Sequence, residues 1–382
     1  MKDRYRTDLF VQHLYKDYPG KLRFDPQKIQ TREAFFAWKQ QVREKAYELM
    51  QFPDNAYEEP QVHFISSKQR DGYRVEKYEI SPEPELWVPF LVLIPDSATA
   101  ESKAPGVLCF PGWDTPKEVL CGEDFTDLTY ESTPYACAFP FSNAMALNYV
   151  RRGIVALASD NAGTGEQLGV YDRQQFALKM MFKGRNYAGL SVLYRWAMLK
   201  WLAGQDYVDD SRIGLAGHSF GTETSMFLAL LEPRVKAVSH NDFMSDNEQR
   251  ILSCFPPEEF MFGGHVHLVP GMLEWFSFPD LIAAFAPNPM LLSEGGVQDD
   301  LERIGKAYAL AGAPEQYQYV HYPEFQDPAS RPLDHQPIPE GITNEEYFRY
   351  ANVVPEHHFY KSEICIPWMI KALGGSAASD NE

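Results

Sequence analysis

Ile213-Gly214-Leu215-Ala216-Gly217-His218-Ser219-Phe220-Gly221 decides how the rest of this 382-residue chain is read. The apolar run Ile213 to Ala216 predicts a short strand, and the apolar segment Thr222 to Leu231 predicts a helix. Between them, Gly217-His218-Ser219-Phe220-Gly221 fits G-x-S-x-G, the pattern that exposes a nucleophilic serine on a sharp strand-to-helix turn. Holding Ser219 at the tip of that turn crowds the strand against the helix. Glycines two positions on either side remove the Cβ atoms that would collide.

Outward from this turn, short continuous apolar strands alternate with helical patterns. Gly106 to Phe110, Ile154 to Ala158, Val235 to His240, Pro289 to Ser293 and Tyr317 to Tyr322 read as strands. Asn143 to Arg152, Leu190 to Leu202, Leu301 to Leu310 and Tyr360 to Leu373 read as helices. That rhythm predicts a mostly parallel sheet covered on both faces. Val75 to Ile80 and Leu86 to Ile94, joined by a Pro/Glu turn, predict an antiparallel hairpin at one sheet edge. Residues 1–60 read as a helical extension, with Thr31 capping a helix whose Phe35, Trp38, Val42, Ala46 and Leu49 recur at three- and four-residue spacing. The main domain is then 61–382. Two stretches break its rhythm, about 241–286 with many aromatics and about 326–356 with many prolines. Each follows a strand, so each is expected over the carboxyl edge of the sheet, as the walls of a substrate cleft.

Composition narrows the function. The formal net charge of −18 argues against nucleic acid or an anionic membrane as the partner and reads as a solubilising surface. Cys109, Cys121, Cys137, Cys254 and Cys365 are few and lack C-x-x-C spacing, so they read as reduced, mostly buried thiols rather than a disulfide or zinc framework. The charged start Met1 to Arg6 lacks a following apolar segment, and no run could span a bilayer, so a cytoplasmic location is expected.

A nucleophilic serine needs a base, an acid to orient it and donors for the oxyanion. The acid belongs on the loop after the Met290 strand, Glu294-Gly295-Gly296-Val297-Gln298-Asp299-Asp300. Asp299 is the preferred acid and Asp300 its rival, although Asp300 could equally cap the next helix. Glu294 ranks lower because it lies nearer the strand body. For the base, His357 is preferred and its neighbour His358 is the alternative, because both directly precede the last helix. His335 in the proline-rich stretch ranks third. His321 reads as a strand residue, and His218 should point away on the tight turn. The oxyanion hole is assigned to the backbone N–H of Phe220 and that of Trp113, with Asp114 as the alternative to Trp113. Asp114, His267 and Trp275 are candidate substrate contacts. Metal binding by His265 and His267 has no carboxylate or cysteine spacing to support it.

Several segments resemble the α/β-hydrolases of the dienelactone hydrolase and acetyl xylan esterase-like branch. They include Asp71-Gly72-Tyr73, Val88-Pro89-Phe90, Pro105 to Leu108, Asp160 with Gly163-Thr164-Gly165-Glu166, Val208 to Gly214, Val269 to Met272, Leu291 to Asp299 and His357-His358-Phe359. The resemblance implies an α/β-hydrolase fold and places nucleophile, acid and base on Ser219, Asp299 and His357. It also implies cofactor-free deacylation of small esters, often acetyl groups on sugars. The expectation is a serine carboxylester hydrolase acting on small acyl esters of a carbohydrate or aryl alcohol. A serine peptidase-like hydrolase of amides and a catalytically inactive binding protein are the alternatives.

Overall fold

A computed structural model describes residues 6–15, 20–113, 115–124, 143–245, 250, 253–254 and 264–374. In chain order, α1 (Thr7–Leu14) and α2 (Arg32–Leu49) precede β1 (Gln61–Gln69), β2 (Tyr73–Glu83), β3 (Leu86–Pro95) and β4 (Ala104–Phe110). Short α3 (Lys117–Cys121) and α4 (Met145–Val150) lead to β5 (Val155–Ser159). Then come α5 (Arg173–Met181), α6 (Tyr187–Ala203), β6 (Val208–His218), α7 (Phe220–Leu231), β7 (Val235–Asn241) and α8 (Phe278–Phe285). The chain closes with β8 (Met290–Leu292), α9 (Gln298–Ala311), β9 (Tyr317–Tyr319), α10 (Asn344–Tyr350) and α11 (Ser362–Ala372).

Among the described residues the strands form one sheet in the order β1-β2-β3-β5-β4-β6-β7-β8-β9. β1 to β3 are antiparallel and β3 also meets β5 antiparallel, whereas every pairing from β5 through β4 to β9 is parallel. Parallel strands need crossovers and are buried on both faces. All five residues of β5 are accordingly buried. α6, α7, α8 and α9 build one face with α2, while α4 and α11 build the other.

The predicted hairpin is present as β2 and β3, but β1 lies outside it and forms the true edge. Most β1 side chains are exposed, so its sequence carries no alternation to announce a strand. α2 keeps the predicted cap, with the Thr31 side chain accepting from the Ala34 N–H at 3.2 Å. Its Phe35, Trp38, Val42, Ala46 and Leu49 are all buried, packed on the same core as α7, α8 and α9.

The aromatic stretch divides. Phe276, Phe278 and Phe285 enter the main core through α8, so they are packing residues rather than a cleft wall. Phe243 instead meets Phe348 edge to face at 5.6 Å, and a bridge joins Cys254 to Ile342, which ties the two irregular stretches together. Phe255, Phe260 and Phe262 lie outside the described residues, as do Asp114 and Cys137. The other four cysteines are buried, and none of them forms a disulfide among the described residues. Among the described residues, no helix is long and apolar enough to cross a membrane.

Candidate active site

Ser219 caps β6 with φ 49° and ψ −124°, a conformation disfavoured for residues bearing a Cβ. The turn closes as Thr222 N–H donates to the Ser219 carbonyl at 2.8 Å and Ser219 N–H donates to the Asn241 carbonyl at 2.9 Å. A Cβ on Gly221 would lie 2.4 Å from the Phe110 carbonyl oxygen, and one on Gly217 would lie 3.0 Å from the Thr222 Cα. Both glycines are therefore set by close backbone approach. Phe220 is the first residue of α7, so its N–H is among the helix-start donors with no intrahelical acceptor.

The expected acid and base are not brought together. Asp299 is the second residue of α9, with its side chain 66% exposed, and it accepts from His335 Nδ1 at 2.5 Å. Asp300 turns inward to Arg303 at 2.9 Å. His357 ends a tight turn, Pro355–His357, and its exposed ring faces Glu324 at 3.1 Å. Residue 358 faces the opposite way. His358 Nδ1 lies 2.6 Å from Glu294 Oε2, and the Glu294 side chain is fully buried. Glu294 can do this because β8 ends at Leu292, which places residue 294 in the loop and not in the strand body. A turn with positive φ at Gly295 and Gly296 follows it at once. The shortness of β8 is what the apolar run Pro289 to Ser293 conceals.

Electrostatics set this pair apart. Burial would raise the Glu294 carboxyl, but the His358 imidazole and the Lys361 ammonium outweigh it and bring it down to about 2. Burial likewise opposes a charged His358, and Glu294 with Asp242 overrides it to bring the imidazole up to about 8. His357 and Asp299 sit instead at exposed positions. His218 packs its ring 4.9 Å from that of His358, and burial drops it to about 3, so it stays neutral. Burial also lowers His321, to about 4, and it lies against Gly295 outside β9. The donor atoms of Asp242, Glu294 and His358 lie within 4.8 Å of one another, a spacing a cation could use. The Lys361 ammonium, 2.9 Å from Glu294 Oε1, already supplies positive charge there.

Asn241, at the end of β7, links the three loops. Its carbonyl accepts from Ser219 N–H, and its Nδ2 donates to the Phe359 carbonyl at 3.1 Å. Its Oδ1 accepts from Ser293 Oγ at 2.7 Å and from Lys361 N–H at 2.8 Å. The elbow, the Glu294 loop and the histidine loop thus share one buried asparagine at the carboxyl edge of the parallel strands, where ligands bind in such sheets. No local motif marks Asn241; only its place at a strand end before an irregular stretch hints at it.

Opposite stands the loop after β4. The buried Asn161 donates Nδ2 to the Gly112 carbonyl at 2.9 Å and to the Trp113 carbonyl at 3.3 Å. Arg195, buried on α6, donates to Asn161 Oδ1 at 2.9 Å and holds that amide in place. Just before it, Asp160 accepts from Lys117 Nζ at 2.9 Å with neither side chain exposed, and Glu166 joins the same ammonium at 2.6 Å. Burying charge is tolerable only with such pairing. The Asp160 to Glu166 segment is therefore a clamp on the β4 loop.

Trp113 lies beside the elbow, its ring edge to face with Phe220 at 5.5 Å and stacked on His267 at 5.3 Å and 14°. The Arg173 guanidinium sits 3.8 Å from the Trp113 ring centre. His267 Nδ1 in turn lies 2.8 Å from Glu223 on α7, so this expected substrate contact does border the elbow. Trp275 does not. Its carbonyl accepts from Leu22 N–H and its ring carries Lys21 at 4.7 Å and Lys45 at 4.0 Å, so it serves the N-terminal segment.

The model of the Abhydrolase family matches residues 3–371. A crystal structure of a "putative acetyl xylan esterase" from Bacteroides fragilis NCTC 9343 superposes with a TM-score of 0.87 at 32% identity, covering 96% of this chain and 94% of that one. A glucuronoyl esterase from Solibacter usitatus shares the fold at a TM-score of 0.55 and 13% identity, over 77% of this chain and 86% of that one. Among curated proteins, the "Putative hydrolase YtaP" of Bacillus subtilis (strain 168) is 27% identical over 178 residues. That match spans 44% of this chain and 58% of YtaP, less than two thirds of the relative's length.

Proposed function

Membership of the Abhydrolase family is the starting point, and from it we propose that this chain is a serine carboxylester hydrolase working through Ser219, His358 and Glu294. The observation that carries the reading is the contact of His358 with the buried Glu294 at 2.6 Å, on the loops that Asn241 binds to the elbow. Ser219 Oγ attacks the ester carbonyl while His358 Nε2 takes its proton. Nδ1 is held by Glu294, which fixes the ring and stabilises the imidazolium that forms. The Phe220 and Trp113 N–H groups stabilise the tetrahedral oxyanion. His358 then returns the proton to the departing alcohol oxygen, leaving an acyl group on Ser219. Water, activated by His358, releases the acid and regenerates the hydroxyl.

Small acyl esters of a carbohydrate are the proposed substrate class. Support comes from the 32% identical structure, whose title names an acetyl xylan esterase and which spans nearly the whole of both chains. The test is hydrolysis of p-nitrophenyl acetate and of acetylated xylo-oligosaccharides by the wild type and by Ser219→Ala, with a fluorophosphonate probe as an independent readout. Turnover and labelling in the wild type, both lost in the variant, are expected. A wild type that neither hydrolyses nor takes the label would sink the reading.

A further inference from the structure

Lys361 is buried, and its side chain is 7% exposed. An ammonium has three protons to place, and here three oxygens receive them. Glu294 Oε1 accepts at 2.9 Å, the Phe359 carbonyl accepts at 2.9 Å, and the His357 carbonyl is the third acceptor. The two carbonyls flank residue 358 on either side. One cation therefore holds the backbone around the imidazole together with the carboxylate that orients the ring. The ammonium also lies 3.8 Å from the centre of the Phe359 ring, which walls it from solvent. Glu294 is divided cleanly, with Oε2 on His358 and Oε1 on Lys361.

We propose that Lys361 is a positioning residue of the catalytic group, fixing the Glu294–His358 pair by holding Glu294 Oε1 and the carbonyls on both sides of the imidazole and setting a fixed positive charge beside it. The inference rests on the esterase reading above. Among the described residues, the ionisable groups facing His358 include Glu294 from the loop after β8, Asp242 from the end of β7, Lys361 from the start of α11 and His218 from the end of β6. Glu294 and Asp242 pull the imidazole toward the charged form, and Lys361 pushes it back. With two carboxylates and no cation, the ring would hold its proton to higher pH and be a base over a narrower range. A buried apolar residue at 361 would also take the ammonium donor from Glu294 Oε1 and from the His357 carbonyl, while the Phe359 carbonyl would keep Asn241 Nδ2.

Removing the charge moves the acid limb of the kcat/KM profile upward, by about 1 pH unit for Lys361→Met. Lys361→Arg keeps the charge and should keep the limb where the wild type has it. The same shift should appear in the NMR titration of the His358 ring. That readout requires no turnover, so an inactive wild type with a shifted ring would condemn the esterase reading while sparing this one. A charge-removing variant that folds and loses kcat, with its limb and ring titration unmoved, would reduce Lys361 to a scaffold and overturn the proposal. Lys361→Gln is the milder alternative where Lys361→Met does not fold. Failure of both to fold would assign the residue to the fold itself and overturn the proposal equally.

Discussion

His358 Nδ1 and Glu294 Oε2 stand 2.6 Å apart in the interior, while their near neighbours His357 and Asp299 look outward to other partners. The two histidines are consecutive in the chain, and that single step decides which one meets Glu294.

The two pairings are separable by mutation. Glu294→Gln keeps the shape but removes the charge and the acceptor pattern that fixes the tautomer, so kcat should fall by about 10⁴-fold. His358→Ala should lose at least as much. Asp299→Asn and His357→Ala should stay within about threefold of wild type, since each touches only an exposed partner. Steady-state hydrolysis of p-nitrophenyl acetate measures all four. A large loss in Asp299→Asn with activity intact in Glu294→Gln would reverse the assignment.

The raised imidazole makes two pH statements. As base, His358 must be unprotonated, so kcat/KM should climb with pH to a plateau above about 8 and fall about tenfold per unit below it. Stability runs the other way. The folded imidazole binds its proton more tightly than the ordinary 6.5 of an unfolded chain, so its contribution is full below 6.5 and is lost as pH rises through about 8. The loss amounts to about 2 kcal/mol. Glu294, lowered to about 2, contributes stability above the ordinary 4.5 that is lost only as pH falls toward 2. Urea midpoints at pH 6 and pH 9 should therefore differ in the wild type and converge in Glu294→Gln.

The strained serine should give itself away thermodynamically. At φ 49° and ψ −124°, Ser219→Ala keeps the strain and Ser219→Gly relieves it. Both variants should be inactive. Ser219→Gly should be the more stable of the two by about 1 kcal/mol, read from urea unfolding. Equal stability would show that the turn carries no strain.

Asn161 is expected to matter to kcat rather than KM. Its amide holds the Gly112 and Trp113 carbonyls, and so aims the Trp113 N–H that follows the same peptide geometry. Asn161→Ala should lower kcat by about 10–100-fold with KM nearly unchanged, as for a weakened oxyanion hole. An unaltered kcat would place the second donor elsewhere.

Much of this was legible in advance because parallel strands and amphipathic helices write their burial directly into the residue order. The elbow, the crossover helices and α2 all follow from apolar spacing. β1 was not legible, since an exposed edge strand needs no apolar face. The preference for Asp299 over Glu294 has a related origin. Pro289 to Ser293 reads as a continuous strand, yet only Met290–Leu292 pair as one, so the strand ends one residue sooner than the pattern implied and Glu294 sits in the loop. His357 and His358 could not be ranked by residue type. Their difference lies in which side of a tight turn each occupies, and the buried acid that draws His358 inward is 64 residues away. Trp275 fell to the same limit, because its partners Lys21 and Lys45 belong to the N-terminal segment.

The ring of Trp113 is already engaged by His267, Arg173 and Phe220. In the esterase proposed here, an arriving pyranose or phenyl group would find that indole already covered. Selectivity among alcohols would then fall to directional partners beside the elbow, such as His267 and Glu223, which would read where hydroxyls point rather than how broad the molecule is.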